Sequence, residues 1–251
     1  MSDCPRDIAP DWYVRAFDDL YPLLYAHRTV EAAEPEADFA AAQLRLAGNE
    51  RVLDLCCGNG RHMKHLRHRC ASLTGLDYSE ALLRIARGMV GRDCALVRAD
   101  MRAIPFVGVF DAVTNFFTSF GYFVEVEDNF KVVFGLAGAL KPGGRFFIDY
   151  VNRESAITRL VPESIRKHED YEIRDQRWID TVKNRLNKLT TVIYRGEAIR
   201  EVEESVRLYS PSEFEDLLRE GGLKVEALYG DYTGAGLDSV TPRMIAAGLK
   251  E

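Results

Sequence analysis

VLDLCCGNGRH, residues 52–62, passes from an aliphatic run through an aspartate to adjacent cysteines, two glycines around an asparagine, and Arg-His. Three chemistries compete for such a loop. Redox work needs two thiols about one turn apart, which the neighbours Cys56 and Cys57 do not supply. On an extended chain they point to opposite sides, so a disulfide between them is disfavoured. A zinc site needs two spaced ligand pairs. His62, His65 and His68 recur every third residue on the helix expected over 61–69, but that step drifts around the helical face. With Arg61, Lys64, Arg67 and Arg69 interleaved, the segment reads as a solvated basic helix, and no metal site is expected. The third reading is a loop that leaves a strand, opens a helix and holds a small molecule. Gly58 and Gly60 permit tight backbone geometry and close approach of a ligand. The free N–H groups of the following helical turn suit a carboxylate or phosphate. A plain tight turn would look the same in isolation.

Outward from this loop, strands and helices alternate. RVLDL (51–55), SLTGLD (72–77), CALVRAD (94–100), FDAVTNFF (110–117) and RFFIDYV (145–151) read as strands. SEALLRIARGM (79–89), with Ser79 as N-cap, and EDNFKVVFGLAGAL (127–140) read as helices, and KPGG (141–144) as a turn. This rhythm predicts a parallel sheet with right-handed crossovers. Upstream, residues 11–27 have helical apolar spacing that Pro22 should kink or split, and residues 35–47 form a helix opened by Pro35 and closed before Gly48. Downstream the rhythm changes. Residues 170–180, 186–195 and 198–210 alternate as strands with no helix between them, an antiparallel three-stranded insertion. A helix over 211–222 and two last strands, 223–230 and 242–249, complete the chain.

The acids tell the glycine loop from an ordinary turn. Asp77 ends the second strand, 23 residues after Asp54, and Asp100 ends the third, 23 residues further on. A carboxylate at the second position can take both hydroxyls of a ribose, and one at the third can accept from an adenine amino group. Acids at successive strand ends converge on the crevice beyond the carboxyl edge of the sheet, where open α/β folds bind ligands.

Here the sequence resembles the class I S-adenosylmethionine-dependent methyltransferases. VLDLCCGNGRH resembles their first motif, TGLDYSEALLRIAR the segment with the ribose-binding acid, RADMRAIPF the adenine-side motif, and FDAVTNFFTSFGYF and LKPGGRFFIDY the fourth and fifth strands with their turns. Cys56 departs from the pattern, standing where the first glycine is usual. The resemblance implies a Rossmann-like seven-stranded sheet of order 3-2-1-4-5-7-6, its last strand antiparallel. Residues 1–151 and 211–251 would form the cofactor-binding domain, with a helical lid over 1–47 and the insertion (152–210) capping an acceptor pocket. It implies S-adenosylmethionine, leaving as S-adenosylhomocysteine, as cofactor. Contacts to it are expected from Tyr13, Tyr25, Arg28, Asp54, Cys56, Gly58, Asn59, Gly60, Asp77, Tyr78, Leu82, Asp100, Met101, Asn115 and Phe116. NAD, the rival cofactor, would want a third glycine after Gly60, where Arg61, His62 and Met63 stand.

NFFTSFGYF is also similar to the corresponding loop of small-molecule N-methyltransferases, including amino-sugar dimethyltransferases. The expected reaction is methyl transfer to nitrogen or oxygen of a small metabolite. Tyr122 is the candidate for orienting the acceptor, and His27 and His168 are candidate bases. A tRNA, rRNA or protein methyltransferase and a non-catalytic S-adenosylmethionine-binding module are the alternatives. The net charge of −6 and pI near 5.5 argue against a broad basic face for nucleic acid. An apolar fraction of 47% and a charged fraction of 29% suit a soluble globular chain, and no apolar run approaches the roughly 18 residues that span a bilayer. The N-terminus lacks a basic-then-apolar signal pattern, and five cysteines (4, 56, 57, 70, 94) read as reduced thiols, so a cytoplasmic protein is expected. Nothing in the pattern fixes an oligomeric state; a homodimer is one option.

Overall fold

The computed structural model describes residues 6–251, so Cys4 lies outside the described residues. The N-terminal segment forms two single-turn helices, α1 (Tyr13–Ala16) and α2 (Tyr21–Leu24). The expected break is present but precedes Pro22, which sits in the first turn of α2, where its missing N–H has no helical partner to lose. The next helix, α3 (Val30–Gln43), begins earlier than Pro35 because the Thr29 hydroxyl accepts from Ala32 N (3.1 Å) and caps it; Pro35 lies inside.

The alternating region follows the sequence closely: β1 (Arg51–Leu55), α4 (Met63–Leu66), β2 (Ser72–Asp77), α5 (Glu80–Val90), β3 (Ala95–Arg98), β4 (Phe110–Asn115), α6 (Val126–Ala139) and β5 (Leu140–Val151). Val52, Leu53, Leu55, Val113, Phe146 and Phe147 are sealed from solvent, as central parallel strands covered on both faces require. Three boundaries move. The helix after the glycine loop is a single turn rather than 61–69. β3 stops at Arg98, and Asp100 caps a 3₁₀ turn (Met101–Ala103) by accepting from Arg102 N. β4 ends at Asn115, because Phe117 and Thr118 adopt left-handed backbone (φ 57° and 59°) that no strand accommodates. The KPGG turn is looped out within β5: Phe110 of β4 pairs with Leu140, then Ala112 with Arg145.

A short helix, α7 (Arg153–Thr158), leads to four antiparallel strands paired in chain order: β6 (Glu163–His168), β7 (Tyr171–Asp180), β8 (Arg185–Tyr194) and β9 (Glu197–Arg207). β6 exceeds the expected three. It is a short, charged edge strand, ESIRKH, whose composition hides its pairing. The chain closes with α8 (Pro211–Glu220), fixed by a Ser210/Glu213 capping box, then β10 (Leu223–Tyr229) and β11 (Arg243–Lys250). The main sheet runs β3-β2-β1-β4-β5-β11-β10, with β11 antiparallel to both neighbours. Leaving the insertion strands aside, this is the expected order 3-2-1-4-5-7-6.

The N-terminal segment bridges the two sheets. Trp12, Ala16, Leu24 and Tyr25 pack with Ile173, Val192 and Val202 of the insertion. At the main sheet, the Ser79 hydroxyl donates to Phe17 O at 2.6 Å. Among the described residues no helix is long and apolar enough to cross a membrane.

Candidate functional site

The β1–α4 loop is shaped by its small residues. Cys56 takes left-handed backbone (φ 60°), the conformation that makes glycine usual there. Its thiol meets Met101 Sδ at 3.5 Å. Gly58 (φ 55°) is open: a Cβ built there would meet only Leu82 Cδ1, at 3.9 Å. Gly60 differs. A Cβ there would strike the Ala86 backbone and side chain at 3.2 and 3.1 Å, so Gly60 lets α5 pack closely and does not face a ligand. Asp77 orders the loop from the end of β2, accepting from Gly58 N and Ser79 N, both at 2.8 Å.

Asp54 is 1% exposed. One carboxylate oxygen accepts from Thr114 Oγ1 at 2.9 Å, and the other, Oδ2, has no partner. Burial pushes its carboxyl from 3.8 up to about 7; the Thr114 bond opposes the rise and nearby Asp77 adds to it. Asp100 is gripped by Arg102, which donates from Nη2 at 2.6 Å and from Nε. Burial raises the Asp100 carboxyl, but these bonds outweigh it and hold it below its ordinary value.

His62, Arg61 and Phe116 make a clasp behind the loop. Arg61 and His62 are buried, contrary to the solvated helix expected. Both reach Glu36 on α3, Arg61 Nη1 at 2.9 Å and His62 Nε2 at 2.7 Å. The His62 ring stacks on Phe116, centroids 3.9 Å apart and planes within 9°. Burial lowers His62 to about 4, so the ring is neutral at physiological pH.

In front of the loop lies a cavity of about 320 Å³, at the lower end of the roughly 300–1,000 Å³ of small-molecule sites. Of the residues singled out from sequence, Tyr13, Tyr25, Arg28, Cys56, Gly58, Asp77, Tyr78, Leu82, Asp100, Met101 and Tyr122 line it. Asp54, Gly60, Asn115 and Phe116 do not. Asn115, buried, donates to Leu55 O from beneath Cys56. Asn59 faces a smaller hollow on the other side of Tyr21, Tyr25 and Arg28. His27 is exposed beside Arg166, and His168 is exposed at the end of β6; neither reaches the cavity.

Around Tyr122, the aromatics Trp12, Phe17 and Tyr21 form a linked cluster on the cavity wall, with Trp12–Tyr122 centroids 4.8 Å apart and Phe17 stacked on Tyr122 at 5.9 Å. The walls that the sequence did not point to come from the insertion. The insertion supplies two cross-strand rows: Arg177–Lys188–Glu204, and next to it Leu186–Val206. The signal was the alternation of β8 and β9, which places Leu186 with Lys188, and Glu204 with Val206, on one face. Lys188 pairs with Glu204, and Tyr25 Oη donates to Glu204 while accepting from Lys188. Burial alone would raise Glu204; Lys188, Tyr25 and Arg28 outweigh it and hold it below the ordinary carboxylate value. Burial drives the Tyr122 and Tyr25 hydroxyls well above theirs. Arg28 lies 3.9 Å over the Tyr25 ring and donates to Tyr21 Oη at 3.3 Å; no carboxylate pairs with it among the described residues.

Residues 52–144 match a family described as "Methyltransferase domain". The chain is 27% identical over 238 residues to the dTDP-3-amino-3,4,6-trideoxy-alpha-D-glucopyranose N,N-dimethyltransferase of Streptomyces venezuelae, covering 87% of this chain and 94% of that one. The crystal structure of DesVI from Streptomyces venezuelae superposes with a TM-score of 0.68 at 25% identity, covering 93% and 98% of the two chains. An S-adenosylmethionine-dependent methyltransferase from Clostridium acetobutylicum superposes with a TM-score of 0.78 at 18% identity, covering 92% and 96%.

Proposed function

We propose that this chain, a class I S-adenosylmethionine-dependent methyltransferase, methylates the amine of a small polar molecule held under its β-insertion. The observation that carries the reading is a single cavity lined at one end by the β1 loop and strand ends, and at the other by Leu186, Lys188, Glu204 and Val206. The N,N-dimethyltransferase relative supports nitrogen as the acceptor atom. On this reading the insertion caps the acceptor, and the N-terminal segment closes over both ligands.

The cofactor end fits the group it is assigned. Gly58 is open to the cavity, Asp77 offers a buried carboxylate, and Leu82, Met101 and Tyr78 supply apolar surface for a purine. Asp77 would hold the ribose hydroxyls, Asp100 the adenine amino group, and Arg28 the carboxylate tail. When bound, S-adenosylmethionine supplies a methyl group already activated on a sulfonium. The chain's own work is alignment, exclusion of water and management of one proton. Tyr13, Phe17 and Tyr122 bring aromatic rings, which attract a cation, to the cavity wall. An amine must lose its proton before attack. Glu204, kept ionised by Lys188, Tyr25 and Arg28, is the acceptor-side carboxylate able to take that N–H in hydrogen bond. Tyr122 stays a phenol at neutral pH and orients the acceptor as a donor.

A small acceptor agrees with the net charge of −6, which disfavours docking on nucleic acid. A cytoplasmic location agrees with Cys56, Cys57, Cys70 and Cys94 being free thiols. Calorimetric titration with S-adenosylmethionine, using NAD as control, is the first test: no binding of the former removes the reading. Methyl transfer to a panel of amines and phenols is the second. Cofactor binding with no transfer to any small amine would favour a macromolecular acceptor or a non-catalytic module.

A further inference from the structure

A second cavity, of about 330 Å³, shares Trp12 with the first, so the indole is a wall between them. Its other sides are residues 6–9, the β7–β8 turn, and the adjoining ends of β8 and β9. Four cations line it, Arg6, Lys183, Arg185 and Arg207, against two carboxylates, Asp7 and Asp180. Both carboxylates are engaged by Lys183, at 2.6 and 4.0 Å. Arg6 turns to Glu201 and Glu203.

Among the described residues the two remaining cations form no ion pair, although Glu213 lies close enough to Arg207 to feel its charge. Arg185 is buried, and its guanidinium meets only neutral oxygens: the carbonyls of Gly121, Tyr122, Phe123 and Ser205, and the Ser205 hydroxyl. Arg207 has no ion pair among the described residues; its guanidinium lies 5.1 Å from the centroid of the Tyr209 ring, and its Nε is buried without a partner. Trp12 Nε1 and Asn187 Oδ1 on the same walls are also unpartnered, in residues 3% and 5% exposed. A side-chain amide can turn over to present its NH₂ instead. Uncompensated guanidinium charge beside unpartnered polar groups in one concavity marks a place completed by an outside group. The fork of an arginine matches carboxylate and phosphate oxygens.

We propose that this cavity binds an anionic group, a phosphate or a carboxylate, with Arg207 as its principal cation. Arg185 joins the two cavities: the guanidinium that lines the second holds the backbone of residues 121–123, and so the place of Tyr122 in the first. The anion is either the charged end of an acceptor long enough to pass Trp12 or a separate small molecule. The proposal does not depend on which atom is methylated.

The test is calorimetry of the full chain with inorganic pyrophosphate at low salt. Saturable binding is expected, weakened at least about tenfold in Arg207→Gln, as loss of a charge-assisted hydrogen bond implies, and lost in Asn187→Asp, which adds a repelling charge. S-adenosylmethionine binding serves as the fold control and should be equal in all three proteins. Its absence from the wild type would count against the methyltransferase reading alone. No saturable pyrophosphate binding to the wild type, or equal binding to Arg207→Gln, overturns the proposal. The source of the anion follows from kinetics. If Arg207→Gln raises KM for a phosphorylated amine but not for its unphosphorylated analogue, the anion belongs to the acceptor. If both KM values hold while pyrophosphate binding is lost, the anion is separate.

Discussion

Asparagine in place of Asp54 removes a buried ionisable group while keeping the shape of the side chain and a carbonyl to accept from Thr114. The wild-type carboxyl titrates at about 7 in the fold against an ordinary 3.8, chiefly because it is 1% exposed. Between those values the folded chain keeps a proton that the unfolded chain has released. Stability therefore falls as pH rises through the window, by about 1.4 kcal/mol per pH unit. The contribution is whole below the unfolded value and lost above the folded one, about 4 kcal/mol in all. The difference between wild type and Asp54→Asn cancels the titrating groups that do not interact with Asp54; Asp77, which does, adds to the profile. Urea unfolding followed by circular dichroism from pH 5 to 8 should show the variant gaining on the wild type by about 1.6 kcal/mol between pH 5.5 and 7, then levelling towards pH 8. Parallel pH profiles would refute the reasoning, because they would mean that Asp54 is ionised in the fold despite its burial and its unpartnered Oδ2.

Asp77→Ala should weaken S-adenosylmethionine by about 10- to 150-fold per lost ribose hydrogen bond, measured by calorimetry; an unchanged Kd removes the ribose assignment. Glu36→Ala strips Arg61 and His62 of their shared acceptor and leaves a buried guanidinium unpaired, so unfolding in urea should lose about 3 kcal/mol. Arg15→Ala, which breaks an exposed pair with Asp11, should change stability by less than about 0.5 kcal/mol in the same assay. Glu204→Gln should lower kcat/KM for an amine acceptor by about 10²-fold with cofactor Kd unchanged; a loss confined to KM would make Glu204 a binding group rather than a proton acceptor.

The parts of the fold legible in the sequence are those where one local rule dominates. β1, β2 and β5 are apolar because they are covered on both faces, and Ser79 and Ser210 announce their helices by capping them. The failures are places where distant contacts override local pattern. The basic run after Gly60 reads as solvated, yet Arg61 and His62 turn inward because Glu36, a quarter of a hundred positions upstream, offers them an acceptor. The edge strand β6 carries few apolar residues because only one of its sides is paired. The same division runs through the site. Gly58, Asp77 and Asp100 were readable because each holds its place at or just beyond the carboxyl end of a strand. Lys188 and Glu204 were not, since their meaning depends on a register between β8 and β9 that neither strand states alone.

The loop after β4 carries this dependence furthest. Phe117 and Thr118 both sit in left-handed backbone, at roughly 1–2 kcal/mol each for side chains that are neither glycine nor asparagine. Phe117 N donates to Asp149 Oδ2 at 2.7 Å, and Thr118 N to Asp149 O at 2.9 Å. Arg243 of β11 donates to Asp149 at 2.5 Å and to Thr118 Oγ1 at 2.9 Å, while Tyr232 donates to the same carboxylate at 2.6 Å. Charge-assisted bonds of this kind are worth about 1.5–3 kcal/mol each, enough to offset the strain. Phe117, Thr118 and Ser119 line the cavity, so its shape on that side is set from β5 and from the antiparallel strand formed near the end of the chain. That is a physical reason for β11 to insert between β5 and β10: only a strand beside β5 can bring Arg243 to the carboxylate that holds the loop.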